Sequence, residues 1–219
     1  TFLSNVFTYM SAALVITGIV AYWFGNDLSL MSIMFTAEGG MNIFGYVVLF
    51  APLGLVLLMS ARIHKLSSMT LILLFILFSV LMGMSLSSIF LIYTGSSIVA
   101  TFFITSATFG VMAFLGYTTK TDLTQFGSIL MMGVIGIVIA MLVNLFLQSE
   151  TMDYIISGIG VLIFTGLTAY DVQKLKRIGT GAEYGTEATN KLSIMGALTL
   201  YLDFINLFLF LLRFMGDRK

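Results

Sequence analysis

Seven long apolar runs, separated by short polar connections, constrain what this 219-residue chain can fold into. A helix needs about 20 mostly apolar residues, rising 1.5 Å each, to cross roughly 30 Å of hydrocarbon. Such stretches lie at Phe2–Phe24, Ile43–Ala61, Met69–Tyr93, Ile98–Tyr117, Gln125–Leu147, Tyr154–Asp171 and Leu192–Phe214. A membrane β-barrel would show short alternating segments instead. These runs are apolar on every side, as helices among lipid and other helices must be. Composition agrees: 59% of residues are hydrophobic and 9% charged, against about 25% charged in a soluble domain. Ten basic and ten acidic residues cannot coat a globule of this size. A cytosolic globular enzyme and a disordered chain are both excluded. The expectation is an all-α integral membrane protein, one polytopic domain over residues 1–219 with seven transmembrane helices.

The formal net charge is zero and no long basic run exists, so a nucleic-acid partner has no footprint. The absence of cysteine removes thiolate nucleophiles, iron–sulfur clusters and cysteine zinc sites. A single histidine, His64, excludes most transition-metal schemes, which want several imidazoles or thiolates. No resident cofactor is expected, and the lipid bilayer is the expected surroundings.

Charge in the connections sets an orientation. Arg62 and Lys65 follow the second run, Lys120 the fourth, and Lys174, Lys176, Arg177 and Lys191 the sixth. The alternate connections hold Asp27, Glu38, Glu150 and Asp153 and no basic residue. Basic connections stay cytoplasmic, which places the N-terminus inside. Arg218 and Lys219 break the pattern, because seven crossings put them on the acidic side. Either that short tail is outvoted or the last run enters and returns. Gly83-x-x-x-Ser87 and Ser106-x-x-x-Gly110 would let helix backbones approach, and Ser79, Ser85 and Ser88 would bond to neighbours. Pro52, the only proline, interrupts the second run and should kink it, a candidate hinge.

Chemistry concentrates on two aspartates. Asp203 lies about eleven residues from either end of the last run, roughly 16 Å deep by helix rise. At such depth an aspartate costs at least about 2.5–3.5 kcal/mol, and leucine would pack there without that cost. Asp171 closes the sixth run just before Lys174 and Lys176, lysines that can snorkel outward. Consecutive antiparallel helices bring the two acids together if the last helix is offset toward the basic end. Two carboxylates in one low-dielectric site cannot both ionise easily and titrate as a unit. Such a pair is a pH sensor, and its hard oxygens suit Ca²⁺. Asn206, three residues beyond Asp203 on the same face, would support a weak Ca²⁺ site with carbonyls and water, and weak binding is what conduction requires. Arg62, ending the second run, is placed to reach an acid on the sixth and hold the second helix. His64 and Arg213 read as surface and interfacial residues, and Asn144 as an interior hydrogen-bonder.

Several segments resemble the Bax-inhibitor family (transmembrane Bax inhibitor motif proteins) in its bacterial branch. They are Ser87-Ser88-Ile89-Phe90-Leu91-Ile92-Tyr93-Thr94, Thr108-Phe109-Gly110, Gly116-Tyr117-Thr118-Thr119-Lys120-Thr121-Asp122-Leu123, Ala169-Tyr170-Asp171-Val172-Gln173, and Leu200-Tyr201-Leu202-Asp203-Phe204-Ile205-Asn206-Leu207-Phe208. The resemblance implies two three-helix layers around a central C-terminal helix, acting as a pH-sensitive Ca²⁺ leak. By the same resemblance Asp171 and Asp203 match the family's aspartate pair, and Arg62 matches an arginine that latches onto it in a closed state. The stretch Gly179–Asn190 fits an extended mobile connection. A bacterial inner membrane is the implied location.

Four functions were weighed. A passive Ca²⁺ leak gated by the acid pair and the second helix leads. A Ca²⁺/H⁺ antiporter would use the same carboxylates. An intramembrane aspartyl protease shares Tyr170-Asp171, but its Gly-x-Gly-Asp motif is replaced here by Leu200-Tyr201-Leu202-Asp203, which supplies bulk where close backbone approach is needed. No enzyme is therefore expected. A regulator that binds other membrane proteins is the fourth.

Overall fold

The computed structural model describes residues 1–36, 40–183 and 185–219, so Glu38, counted above among the acidic connections, lies outside the described residues. Regular structure among the described residues is helical, apart from one isolated bridge between Phe35 and Met41. The helices are α1 (Phe2–Asn26), α2 (Leu28–Met31), α3 (Ile43–Arg62), α4 (Ser68–Leu86), α5 (Ile89–Ile92), α6 (Gly95–Thr118), α7 (Thr124–Leu147), α8 (Glu150–Gly181) and α9 (Glu187–Met215). Counting α4 and α5 together as Ser68–Ile92, seven helical spans among the described residues are long and apolar enough to cross a membrane. Polar residues fix where they start. The side chains of Thr1, Asn42, Ser67 and Thr94 each accept a backbone N–H three residues on, satisfying donors that a helix start leaves unpaired.

The sixth span departs from the sequence reading. It does not close at Asp171; α8 runs ten residues further, to Gly181. Charged residues end an apolar run without ending a helix, since Lys, Gln and Arg are good helix formers. The extended connection expected over Gly179–Asn190 is accordingly mostly helix, leaving only residues 182–186 between α8 and α9.

The chain forms two compact units. The first comprises Thr1–Tyr93, Ala182–Leu198 and Lys219; the second comprises Thr94–Gly181 and Thr199–Arg218. In the first, α1 and α3 both pack on α4. Thr17 Oγ1 donates to the Ser79 carbonyl at 2.9 Å. A Cβ on Gly83 would sit 2.7 Å from the Thr17 carbonyl oxygen, so this glycine does permit close approach. The hydroxyls of Ser79 and Ser88 donate within their own segment instead of across to a neighbour. Buried Pro52 lies inside α3, which continues through it to Arg62.

In the second unit α6 and α7 both pack against α8. The expected contact at Ser106-x-x-x-Gly110 is absent among the described residues: half-buried Ser106 donates to Phe102 of its own helix, and a Cβ on Gly110 would meet nothing within 4 Å. Gly116 and Gly127 take that role. A Cβ on Gly116 would strike the Ala169 carbonyl, and one on Gly127 the Tyr170 ring. Helix α6 thus reaches the α8 backbone, and α7 the Tyr170 ring, where α8 leads into Asp171.

The C-terminal tail is held by specific contacts within the second unit. The Thr94 N–H donates to the Asp217 carbonyl at 3.1 Å, and Arg218 pairs with Asp153 at 3.6 Å. The end of α9 therefore lies beside the starts of α6 and α8. Arg218 is drawn to the acidic end by a specific carboxylate.

Candidate functional site

The candidate site follows from the antiparallel register of α8 and α9 within the second unit. Phe164 stacks on Phe210, ring centroids 5.7 Å apart, and Phe210 also covers Gly160, where a Cβ would come within 2.6 Å of the ring. Seven residues beyond Phe164 and seven before Phe210, about 10 Å along each axis, stand Asp171 and Asp203. Their side chains meet, within hydrogen-bonding range of one another. Both are withdrawn from the surface, Asp171 at 8% and Asp203 at 5% exposure.

The surroundings hold this meeting in place. The Phe204 ring lies 5.7 Å from Phe102 and 5.5 Å from Phe109 of α6, edge to face, an arrangement that anchors the helix at the residue after Asp203. Two residues past Asp171, Gln173 is stapled to the connection between α6 and α7. Its Oε1 accepts from the Leu123 N–H at 2.9 Å and its Nε2 donates to the Thr121 carbonyl at 2.7 Å. Arg177, one turn later, donates to Gln173 and pairs with Asp122. Asp122 also accepts from the Thr124 hydroxyl and N–H. The Thr124 hydroxyl, then the Arg177 guanidinium, hold the Asp122 carboxyl well below the usual carboxylate range.

Asp203 has no such donors. Its Oδ2 is buried and meets no hydrogen-bond partner among the described residues, although buried polar atoms in proteins are nearly always satisfied. A bond between two carboxyls exists only when one carries a proton, since an ionised carboxylate can only accept. A proton or a cation would complete the arrangement. Among the described residues no third aspartate, glutamate or histidine joins the pair to make a metal cluster.

The other sequence candidates lie as follows. Asn206 follows Asp203 by three residues, but its Nδ2 donates to the Leu202 carbonyl of its own helix at 2.8 Å, leaving only Oδ1 for a ligand. Arg62 is the last, exposed residue of α3 and forms no ion pair among the described residues. His64 is exposed. Asn144 bridges to Ser149 through both side-chain atoms and fastens the α7–α8 turn rather than the interior; Gln148, in a left-handed conformation, makes that turn possible. Arg213 is paired with Asp153 at 3.3 Å.

Sequence reasoning missed Gln173, Arg177 and Asp122 as a staple, and Gly116 and Gly127 as contact points. Gln173 was visible two residues beyond Asp171, where a polar side chain on a buried face needs a partner. Nothing local to Gly127 marks it, because its contact comes from another helix.

The architecture and the paired acids define a polytopic helical membrane protein with an ionisable centre. Comparison with known proteins gives the family. The pattern described as Inhibitor of apoptosis-promoting Bax1 matches residues 1–219, and the chain belongs to that family. It is 47% identical over 220 residues to the inner membrane protein YbhL of Escherichia coli (strain K12), covering all of this chain and 92% of that protein. A protein of Borreliella burgdorferi is 47% identical over 218 residues, with 100% and 92% coverage. One of Rickettsia prowazekii is 45% identical over 218 residues, with 100% and 90% coverage.

Proposed function

We propose that this protein is a pH-sensitive Ca²⁺ leak of a bacterial inner membrane, with Asp171 and Asp203 as sensor and ion-pathway residues. The observation that carries the reading is the buried meeting of two acids, with Asp203 Oδ2 left unpartnered. Intramembrane acids are expensive and mark ion or proton pathways. A doublet of hard oxygens binds Ca²⁺ weakly, because Ca²⁺ prefers six to eight oxygen ligands, and a weak site lets an ion leave as readily as it enters. Proton and Ca²⁺ would compete for the same oxygens. Membrane location is supported by the Escherichia coli relative, an inner membrane protein, and the basic connections support a cytoplasmic N-terminus.

Arg62 is the proposed gate latch, Pro52 the hinge of its helix and Asn206 Oδ1 a supporting oxygen, with no enzymatic step and no resident cofactor. Protonation of the pair would release Arg62 and also remove the charge that attracts Ca²⁺, so the sign of the response is a matter for measurement.

Liposomes loaded with a Ca²⁺ dye test the reading. Wild-type flux should change across pH 6 to 8, about two units, while Asp171→Asn and Asp203→Asn lose that dependence. Identical flux in all three proteins at every pH would sink the proposal. Ca²⁺ uptake driven uphill by an imposed pH gradient would replace the leak with an antiporter using the same acids.

A further inference from the structure

A second polar site lies at the opposite end of the second unit from the Gln173 staple. Asp153 bonds two guanidiniums at once, Arg213 at 3.3 Å and Arg218 at 3.6 Å. One carboxylate cannot saturate both, since each guanidinium carries five donors in a planar fork. These residues line a pocket of about 440 Å³ that Glu150 also lines. The four ionisable residues carry two charges of each sign, so a purely anionic ligand gains little net attraction. A ligand carrying both signs fits better.

An apolar groove of about 370 Å³ shares Asn144, Asp153 and Arg213 with this pocket. Val138, Met141, Leu142 and Leu145 line it, at the spacing of one helix face, and run about 10 Å along α7. Val138, Leu142 and Leu145 are 45%, 54% and 69% exposed. Helix α7 is also the least buried of the seven spans, so the groove opens to whatever surrounds the protein in the bilayer. The polar pocket is at headgroup level, where α8 begins and α9 ends, and the groove leads from it toward the hydrocarbon.

We propose that this end of the second unit binds one phospholipid whose headgroup carries a phosphate and a primary ammonium, as phosphatidylethanolamine does. The phosphate takes the open donors of Arg213 and Arg218, a geometry that guanidinium matches bidentately. The ammonium, with three donors, meets Glu150, and an acyl chain lies along the α7 stripe. The Asp153 bridge then positions the two arginines as well as joining α8 to α9.

Native mass spectrometry of the full chain in mild detergent, with phosphatidylethanolamine, phosphatidylcholine or phosphatidylglycerol of identical acyl chains, tests this. Wild type should retain phosphatidylethanolamine at concentrations about tenfold below the other two. Arg218→Gln should weaken retention of every phospholipid. Glu150→Gln should keep phospholipid binding but erase the preference over phosphatidylcholine, whose quaternary ammonium cannot donate, and over phosphatidylglycerol, which has no ammonium. Lys120→Gln, at the other end of the unit, should match wild type. Glu150 and Arg218 are both exposed, and melting temperatures of the variants confirm folding. Equal retention of the three lipids by wild type, or unchanged binding by both Arg218→Gln and Glu150→Gln, would overturn the proposal. So would displacement of bound lipid by millimolar inorganic phosphate or by the chain-free headgroup, which would make the ligand a soluble one.

Discussion

Asp122 and Asp203 belong to the same unit, yet their surroundings are opposites. Asp122 is exposed, accepts from Thr124 twice and pairs with Arg177. Asp203 is buried, faces another acid and keeps one oxygen without a donor. The first is a fastener: its charge is already matched, so ordinary changes of pH leave it alone. The second is unfinished, and an unfinished polar group responds to what arrives. The same side chain is fastened or left unfinished according to the donors within reach, and the proposed sensor role falls to the unfinished one.

The contrast can be broken by experiment. The largest effect is expected from replacing Asp203 and its partner Asp171 together by Leu, which should abolish pH-dependent flux while raising the melting temperature, because both members of a buried polar pair are removed at once. A fall in melting temperature would mean that the pair is itself a fastener. Next comes Gly116→Ala, which forces a methyl against the Ala169 carbonyl and should destabilise by about 1–3 kcal/mol, as overpacking does. Gly110→Ala, with open space around it, should instead be neutral or stabilising by up to about 1 kcal/mol from helix propensity. Equal effects in denaturant titrations would remove Gly116 from the account.

Smallest is Asp122→Asn. A carboxyl whose folded-state pKa is depressed gives stability that is present above its unfolded pKa and lost only as pH falls through the folded one. Since Asp122 is held low by Thr124 and Arg177, wild type and Asp122→Asn should differ by a constant amount between pH 6 and 8. A difference in melting temperature that varies over that window would show that Asp122 titrates there.

Much of this was legible in the chain. The seven spans follow from run length against bilayer thickness, and the Asp171–Asp203 meeting follows from two acids on consecutive antiparallel helices. Helix ends were read less well. Hydropathy reports where apolar residues stop, and α8 outlasts its apolar run because the polar stretch after Asp171 keeps helical propensity. Partners distant in sequence were also hidden. Neither the clasp of Phe204 by Phe102 and Phe109 nor the burial of Gly127 beneath Tyr170 leaves any local periodic mark. The pairing of Arg218 with Asp153 was hidden for a related reason: an orientation rule counts charges and does not see their partners.

The projection of α8 past Asp171 has a consequence for traffic. Lys174, Lys176 and Arg177 stand on it, and Lys176 is held at the Tyr117 carbonyl, 2.8 Å away, over that residue's ring. On the proposed pathway, an ion nearing Asp171 from this end would first meet this collar of basic side chains. Collar and doublet would therefore govern different variables: ionic strength, through a screening distance of about 8 Å, would tune the approach, while acidity tunes the interior.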